Sequence, residues 1–158
     1  MKAYDTRFQE GLPALVVQHE YVTEIHKISE SKEIYHLFHE VLQLHLRTEE
    51  YVYLLGMNTK GSILGIFEVG HGNPSTCIMN SYGIFQRLLL IGATAFVVVH
   101  NHPSGDPTPS LQDREVTEKL KKQAELMEIA MLDHVIIGWN TFFSIFSNEG
   151  GSVKESRG

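Results

Sequence analysis

Apolar residues fall along this chain in short blocks separated by turn-forming residues, a pattern that predicts a sheet of several strands. The clearest block, Ala95–Val99, is apolar and rich in β-branched residues, which predicts a buried strand. Asn58–Gly61 is typical of a hairpin turn between two further strands. The predicted strands lie at 51–57, 62–69, 95–99, 135–137 and 142–146, with one or two extended pieces within 14–27.

Helical spacing of apolar residues predicts about three helices between these strands. They begin at Ser29 or Ser31, at Ser81, and just after Ser110. In the third helix, the residues predicted to face the core are Val116, Leu120, Ala124 and Met127. The whole pattern predicts an α/β (α+β) domain in which a mixed, mostly antiparallel sheet is flanked by helices.

The length of 158 residues fits one domain, and 42% hydrophobic residues exclude an intrinsically disordered chain. We divide it into an N-terminal extended arm at 1–28, a domain at 29–148 and a flexible tail at 149–158. No apolar stretch reaches the ~20 residues needed to span a bilayer, and the N-terminus lacks the apolar core of a signal peptide. The sequence leaves the oligomeric state open.

Charge and cysteine content limit the partners and the compartment. The net charge of −6 is unfavourable for binding nucleic acid, whose phosphates must be neutralised. The clearest basic cluster is Lys119, Lys121 and Lys122, but it alternates with Glu115, Glu118, Glu125 and Glu128, as on a solvated helix face. The single cysteine, Cys77, cannot form an internal disulfide, so we expect it to pack in the core of a cytoplasmic protein.

Candidate chemistry lies directly after the central strand. Because side chains alternate along a strand, His100 and His102 would project together from its carboxyl end. A turn-rich loop then leads to Ser110 and to Asp113 in the first turn of the third helix. Two imidazoles and one carboxylate form a three-ligand site that stays open to water, which is the pattern of catalytic zinc.

Simpler interpretations of these residues exist. Ser110 and Asp113 have the spacing of an ordinary helix-capping pair. A His-x-His sequence is weak evidence alone, because the chain has nine histidines. We interpret three others, His36, His39 and His45, as surface histidines rather than ligands. The combination of strand, His-x-His, turn-rich loop and capped helix favours a metal site over these simpler interpretations.

A hydrolytic metal site also needs a base that is not a ligand. Glu50 is our choice, because it precedes the strand at 51–57 and so falls at a strand end. Glu49 and Glu68 are competitors at similar positions. The residues themselves do not decide among the three.

The sequence His100-x-His102-Pro103 followed by Ser110-x-x-Asp113 resembles the metal motif of the JAMM (MPN+, JAB) metallohydrolase family. The stretch from His100 to Ser110, with Leu132–Gly138 downstream, is more narrowly similar to its RadC branch. The resemblance covers about 29–146 and implies the MPN fold. It also implies zinc held by His100, His102 and Asp113.

By position, the resemblance makes Glu50 the residue that polarises water and Ser110 the one that steadies the oxyanion. It implies a zinc-dependent hydrolase, metallopeptidase-like, that cleaves a peptide or isopeptide amide. The alternative is a DNA-processing or DNA-binding accessory protein, because RadC-type proteins carry a DNA repair label. Such proteins commonly have a helix-hairpin-helix-like segment ahead of this domain, and the 28 residues before the first predicted helix are too few for one.

Three further residues near the end of the domain keep two interpretations each. Asp133 and His134 are either residues around the metal pocket, as the resemblance implies, or a buried, hydrogen-bonded pair. Trp139 either touches a partner or covers the sheet edge.

Overall fold

A computed structural model of the protein describes residues 1–73, 78 and 80–152, and Cys77 lies outside this range. The described residues form one eight-stranded sheet, in the order β2-β1-β4-β3-β5-β6-β7-β8. The strands are β1 Lys2–Gln9, β2 Leu12–Glu20, β3 Tyr51–Met57, β4 Ile63–His71, β5 Ala95–Asn101, β6 Ala130–Ile137, β7 Thr141–Ser144 and β8 Glu149–Ser152. The β1–β4 and β5–β6 pairs are parallel and the other neighbours are antiparallel. The predicted mixed, mostly antiparallel sheet is therefore confirmed.

Three α-helices lie among the described residues: α1 Ser31–His36, α2 Ser81–Ile91 and α3 Leu111–Leu126. A π-helical turn at Leu37–Val41 continues α1, and a 3-10 turn follows at Leu44–Leu46. The helix caps differ slightly from the prediction, because Glu30 caps α1 and Asn80 caps α2. Ser110 does cap α3.

The helices cover both faces of the sheet. The apolar side chains of α1 and the π-helical turn pack against Leu55, Val97 and Val99. Those of α2 and α3 pack against the opposite face, with Phe96 and Val98. Because β5 alternates faces, even-numbered residues of this strand point toward α3. His100 and His102 continue that even series, so the fold directs both toward the start of α3.

The sheet is larger than predicted at both edges. Residues predicted as an extended arm form the β1–β2 hairpin, and β1 pairs with β4. The turn places Glu10 and Gly11 at φ of 52° and 80°, and the pattern of two positive φ angles usually takes Asn or Asp at the first position. Glu149–Ser152, placed in the predicted tail, pairs with β7 as β8, and 153–158 lie outside the described residues.

Two details of the predicted core differ from the structure. β6 begins at Ala130, five residues before the predicted start. The prediction began the strand too late because a bulge near Leu132 and two polar residues interrupt its apolar pattern. Met127 is 42% exposed at the end of α3, whereas Val116, Leu120 and Ala124 are buried as predicted. No described helix is long and apolar enough to cross a membrane.

Candidate metal centre

The structure brings His100, His102 and Asp113 together although Asp113 lies on a different element. Their ligand atoms all lie within 4.8 Å of one another. The Nε2 atoms of His100 and His102 are 3.1 Å apart, and these atoms lie 3.6 and 3.3 Å from the two carboxylate oxygens of Asp113. His100 and Asp113 are buried, and His102 is partly exposed.

This donor set fits a tetrahedral metal ion. Ligand atoms about 2.0–2.1 Å from zinc at tetrahedral angles lie roughly 3.3–3.4 Å apart. The three separations observed here, 3.1, 3.3 and 3.6 Å, bracket that value. The 3.3 and 3.6 Å distances are to different oxygens of Asp113, Oδ2 and Oδ1. Two imidazoles and one carboxylate are the kind of donor set that would hold a zinc ion here.

The helix cap at Ser110 holds the carboxylate of Asp113 in place. The Ser110 amide donates to Asp113 Oδ2 at 2.9 Å, and the Asp113 amide donates to Ser110 Oγ at 3.0 Å. Burial raises the pKa of Asp113, but hydrogen bonds from His102 and Ser110 and the charge of His100 leave it well below its ordinary value. The helix-capping pair therefore also positions the candidate ligand. The lowered pKa keeps the Asp113 carboxylate ionised, which is the form that binds a metal.

His102 is oriented by the loop that follows it. Its Nδ1 lies 2.9 Å from the carbonyl oxygen of Asp106, which leaves Nε2 facing the other ligands. Burial lowers the pKa of His102, but hydrogen bonds to Asp113 and Asp106 raise it more, so the net pKa is above its ordinary value. Burial, by contrast, holds the pKa of His100 well below the ordinary value.

Trp139 packs over this loop. A Cβ on Gly105, at φ of +86°, would lie 2.4 Å from the indole ring, and one on Gly138 would lie 2.3 Å from the Gly105 carbonyl oxygen. The loop and the β6–β7 turn therefore fit together only with glycine at both positions. Trp139 is 59% exposed and covers the ligand loop rather than a sheet edge.

Glu50 lines the same cleft as two of the candidate ligands, His102 and Asp113. The cleft has a volume of about 520 Å³, and its walls include Glu50, His102, Ser110 and Asp113. Burial raises the pKa of Glu50, although the charge of His102 opposes this, which suits a carboxylate that must accept a proton.

The two competing carboxylates lie elsewhere. Glu49 is exposed and lies 3.9 Å from the ring of His71. Glu68 accepts a hydrogen bond from the Tyr53 hydroxyl, on the face of the sheet opposite the ligands. Of the three candidates for the base, the described cleft contains Glu50 alone.

Comparison with known proteins shows the family of this chain. Residues 28–151 match the model of the RadC-like JAB domain, which is most of the chain. The chain belongs to this family. It is 34% identical over 124 residues to a UPF0758 protein of Thermotoga maritima, covering 78% of this chain and 54% of the relative. It is 38% identical over 103 residues to a UPF0758 protein of Clostridium botulinum, covering 65% and 45%.

The family match confirms the predicted resemblance to the RadC branch of the JAB family, which was based on the His-x-His and Ser-x-x-Asp motif. A UPF0758 protein of Chlorobaculum parvum is 40% identical over 97 residues, or 61% of this chain and 44% of the relative. The chain spans about half the length of the curated relatives it matches.

Asn101, between the two histidines, ties the segment of Glu50 to β5 of the RadC-like JAB domain. Its side chain accepts a hydrogen bond from the Tyr51 amide at 2.7 Å and donates one to the Glu49 carbonyl at 3.0 Å. Both contacts flank Glu50, and Asn101 is buried. The sequence analysis missed this residue, although a polar residue inside a buried strand is a signal worth following.

We expect Asn101→Leu to displace the segment that carries Glu50. The substitution leaves a backbone N–H and a carbonyl without partners, so the free energy of unfolding should fall by on the order of 2–4 kcal/mol. Urea unfolding measures the loss of stability, and a crystal structure of the variant should show the Glu50 side chain moved from the wall of the cleft. The control is Asn80→Ala, which removes the cap of α2 outside the cleft lining and costs about 1 kcal/mol. An unmoved Glu50 in Asn101→Leu would show that its position does not depend on Asn101.

Asp133 and His134 are both buried, and the His134 amide donates to Asp133 Oδ1 at 2.8 Å, but their side chains do not pair with each other. Adjacent strand residues point to opposite faces, and these two do so. Asp133 accepts hydrogen bonds from the hydroxyls of Ser31 and Ser144, at 2.9 and 2.6 Å. His134 lies on the ligand face, with Nε2 2.7 Å from His100 Nδ1. Burial lowers the pKa of His134 to about 4, so its ring is neutral at pH 7.

The three histidines predicted to lie on the surface are outside the ligand cluster. His36 contacts Glu40 at 3.0 Å, and His39 stacks on His45 with ring centroids 3.6 Å apart. All three are half-buried rather than fully on the surface. Among the described residues, the grouping able to hold a metal consists of His100, His102 and Asp113.

Proposed function

We propose that this RadC-like JAB domain is a zinc-dependent hydrolase that cleaves a peptide or isopeptide amide. The observation that carries the proposal is the convergence of two imidazoles and a carboxylate beside a cleft whose wall also holds Glu50. A bound Zn²⁺ would supply Lewis acidity, which makes water nucleophilic at neutral pH.

The residues of the cleft have distinct roles in the proposed reaction. Glu50 accepts the proton of the attacking water as the bond from water oxygen to the carbonyl carbon forms. The Ser110 hydroxyl accepts from the Asp113 amide, so its own proton is free to be donated to the developing oxyanion. When the carbon–nitrogen bond breaks, Glu50 returns the proton to the leaving amine. The products are a carboxylate and an amine.

A search for cleavage in heavy-oxygen water tests this proposal. Zinc-loaded protein is mixed with linear peptides and with branched peptides joined through a lysine isopeptide bond, and products are identified by mass spectrometry. We expect a new carboxylate that carries the heavy label, and we expect none after the metal is removed with a chelator. Zinc-loaded protein that yields no labelled product from either peptide class would contradict the proposal.

The alternative of a DNA-processing role has less support among the described residues. Lys121 lies over the ring of Phe146 at 5.0 Å, so part of the basic cluster on α3 is engaged within the protein. Binding to nucleic acid and a cytoplasmic location stay predictions. Measurable binding to duplex DNA at low salt would favour the alternative.

A further inference from the structure

A buried chain of hydrogen bonds runs from His100 to α3. His100 Nδ1 lies 2.7 Å from His134 Nε2, and His134 Nδ1 lies 2.6 Å from Thr117 Oγ1. The Thr117 hydroxyl donates to the backbone carbonyl of Asp113 at 2.6 Å. All three side chains are at most 1% exposed, so water does not compete for these bonds. The chain therefore connects two of the candidate ligands through residues that are not ligands.

The direction of these bonds follows from the group at the end of the chain. A carbonyl oxygen can only accept, so the single proton of the Thr117 hydroxyl is used on Asp113. Thr117 Oγ1 must then accept from His134, which requires the proton of the neutral His134 ring to be on Nδ1. His134 Nε2 is left to accept from His100 Nδ1. His100 is thereby protonated on Nδ1, and its Nε2 keeps the lone pair that faces His102 and Asp113.

The opposite direction would block the site. If Thr117 donated to His134 Nδ1, His134 would carry its proton on Nε2 and donate it to His100 Nδ1. His100 would then be protonated on Nε2, the atom that lies 3.1 Å from His102 Nε2. A protonated nitrogen has no lone pair for a metal, so the two directions correspond to a competent and a blocked site.

We propose that His134 and Thr117 are positioning residues that fix His100 in the tautomer whose Nε2 is free to bind a metal. The inference deepens the proposed function and rests on it only for the identity of the metal, zinc. The chain of hydrogen bonds runs between protein groups alone. It can therefore be tested in the metal-free protein, independently of whether any amide is cleaved.

The first test is nitrogen-15 NMR of the histidine rings in the metal-free protein at neutral pH. We expect both His100 and His134 to be protonated on Nδ1 and unprotonated on Nε2. A proton on His100 Nε2 in the wild-type protein would overturn the proposal, whatever the hydrolysis assay gives. Labelled cleavage products are not needed for this test, so failure of the proposed reaction is recognised separately.

The second test compares Thr117→Val with Thr117→Ser. Valine has nearly the shape of threonine but lacks the hydroxyl, whereas serine keeps it. We expect Thr117→Val to move the His134 proton to Nε2 and to weaken zinc affinity by about tenfold or more, measured by competition with a chromophoric chelator. Thr117→Ser should keep the wild-type tautomer and nearly the wild-type affinity. Equal zinc affinity of the two variants would overturn the proposal.

Discussion

Replacing Glu50 with glutamine is expected to leave zinc bound and to lower turnover of a cleaved peptide by about 100-fold or more. Glutamine has the size of glutamate, so the cleft should keep its shape. Its amide cannot accept the proton of the attacking water, and it cannot deliver a proton to the leaving amine. Because burial already raises the pKa of Glu50, the ionised wild-type carboxylate is a stronger base than an exposed one. Rate constants and zinc content measured on the same preparation distinguish loss of the base from loss of the metal.

Two control variants make the Glu50 experiment specific. Glu49→Gln changes the exposed carboxylate next in the chain, and Glu68→Gln changes the one on the opposite face of the sheet. Both should keep wild-type turnover. Full activity of Glu50→Gln would move the base to another carboxylate, and loss of activity in Glu68→Gln would point to that residue instead.

Replacing His102 with alanine is expected to abolish stoichiometric zinc binding. The remaining His100 and Asp113 provide only two protein ligands, fewer than the three of a catalytic zinc site. His102 is partly exposed and sits on a loop, so its removal leaves no enclosed cavity in the core. Zinc per chain, measured by elemental analysis after dialysis against a weak chelator, should fall from one to near zero. Urea unfolding of the metal-free variant checks that the fold is retained.

The matched control for His102→Ala is His71→Ala. His71 is an exposed histidine at the end of β4, 3.9 Å from Glu49 and outside the ligand cluster. This variant should bind zinc like the wild type. His100→Ala should also lose the metal. Because the buried His100 ring is hydrogen-bonded to His134, this variant should lose stability as well. Unchanged zinc in both the His100 and His102 variants would show that the ligand assignment is wrong.

The two halves of the grouping of His100, His102 and Asp113 can each be predicted from the sequence, because each half is local. The strand period places His100 and His102 on one side, and the cap at Ser110 places Asp113 in the first turn of α3. The meeting of strand end and helix start is not local. It was expected from the turn-rich loop and from the resemblance to the JAMM family, and the structure brings the three ligand groups within 4.8 Å.

Contacts between distant segments could not be predicted in the same way. Asn101 reaches back 50 residues to the Tyr51 amide, and His134 lies beside His100 only because β6 pairs with β5. Thr117 is four residues after Asp113 and so on the same face of the helix, but its partner on β6 is visible only in the fold. The strand period does predict that the side chains of Asp133 and His134 do not contact each other, since adjacent strand residues face opposite sides.

The β1–β2 hairpin and β8 were not predicted, and each has a separate physical reason. The β1–β2 turn uses Glu10 at a positive φ, which few side chains other than Asn and Asp favour. β8 consists of Glu149–Ser152, with two glycines and no apolar alternation, and it is held by backbone hydrogen bonds to β7. Strands of this kind depend on their neighbours rather than on their own residues.

We expect His100, His102 and Asp113 to bind one metal ion together. The most direct measurement is a crystal structure of the zinc-loaded protein with anomalous diffraction data collected on both sides of the zinc absorption edge. We predict a zinc-specific peak about 2.0–2.2 Å from His100 Nε2, His102 Nε2 and a carboxylate oxygen of Asp113. A zinc peak at another position, with the Asp113 carboxylate turned away from the two imidazoles, would contradict the claim.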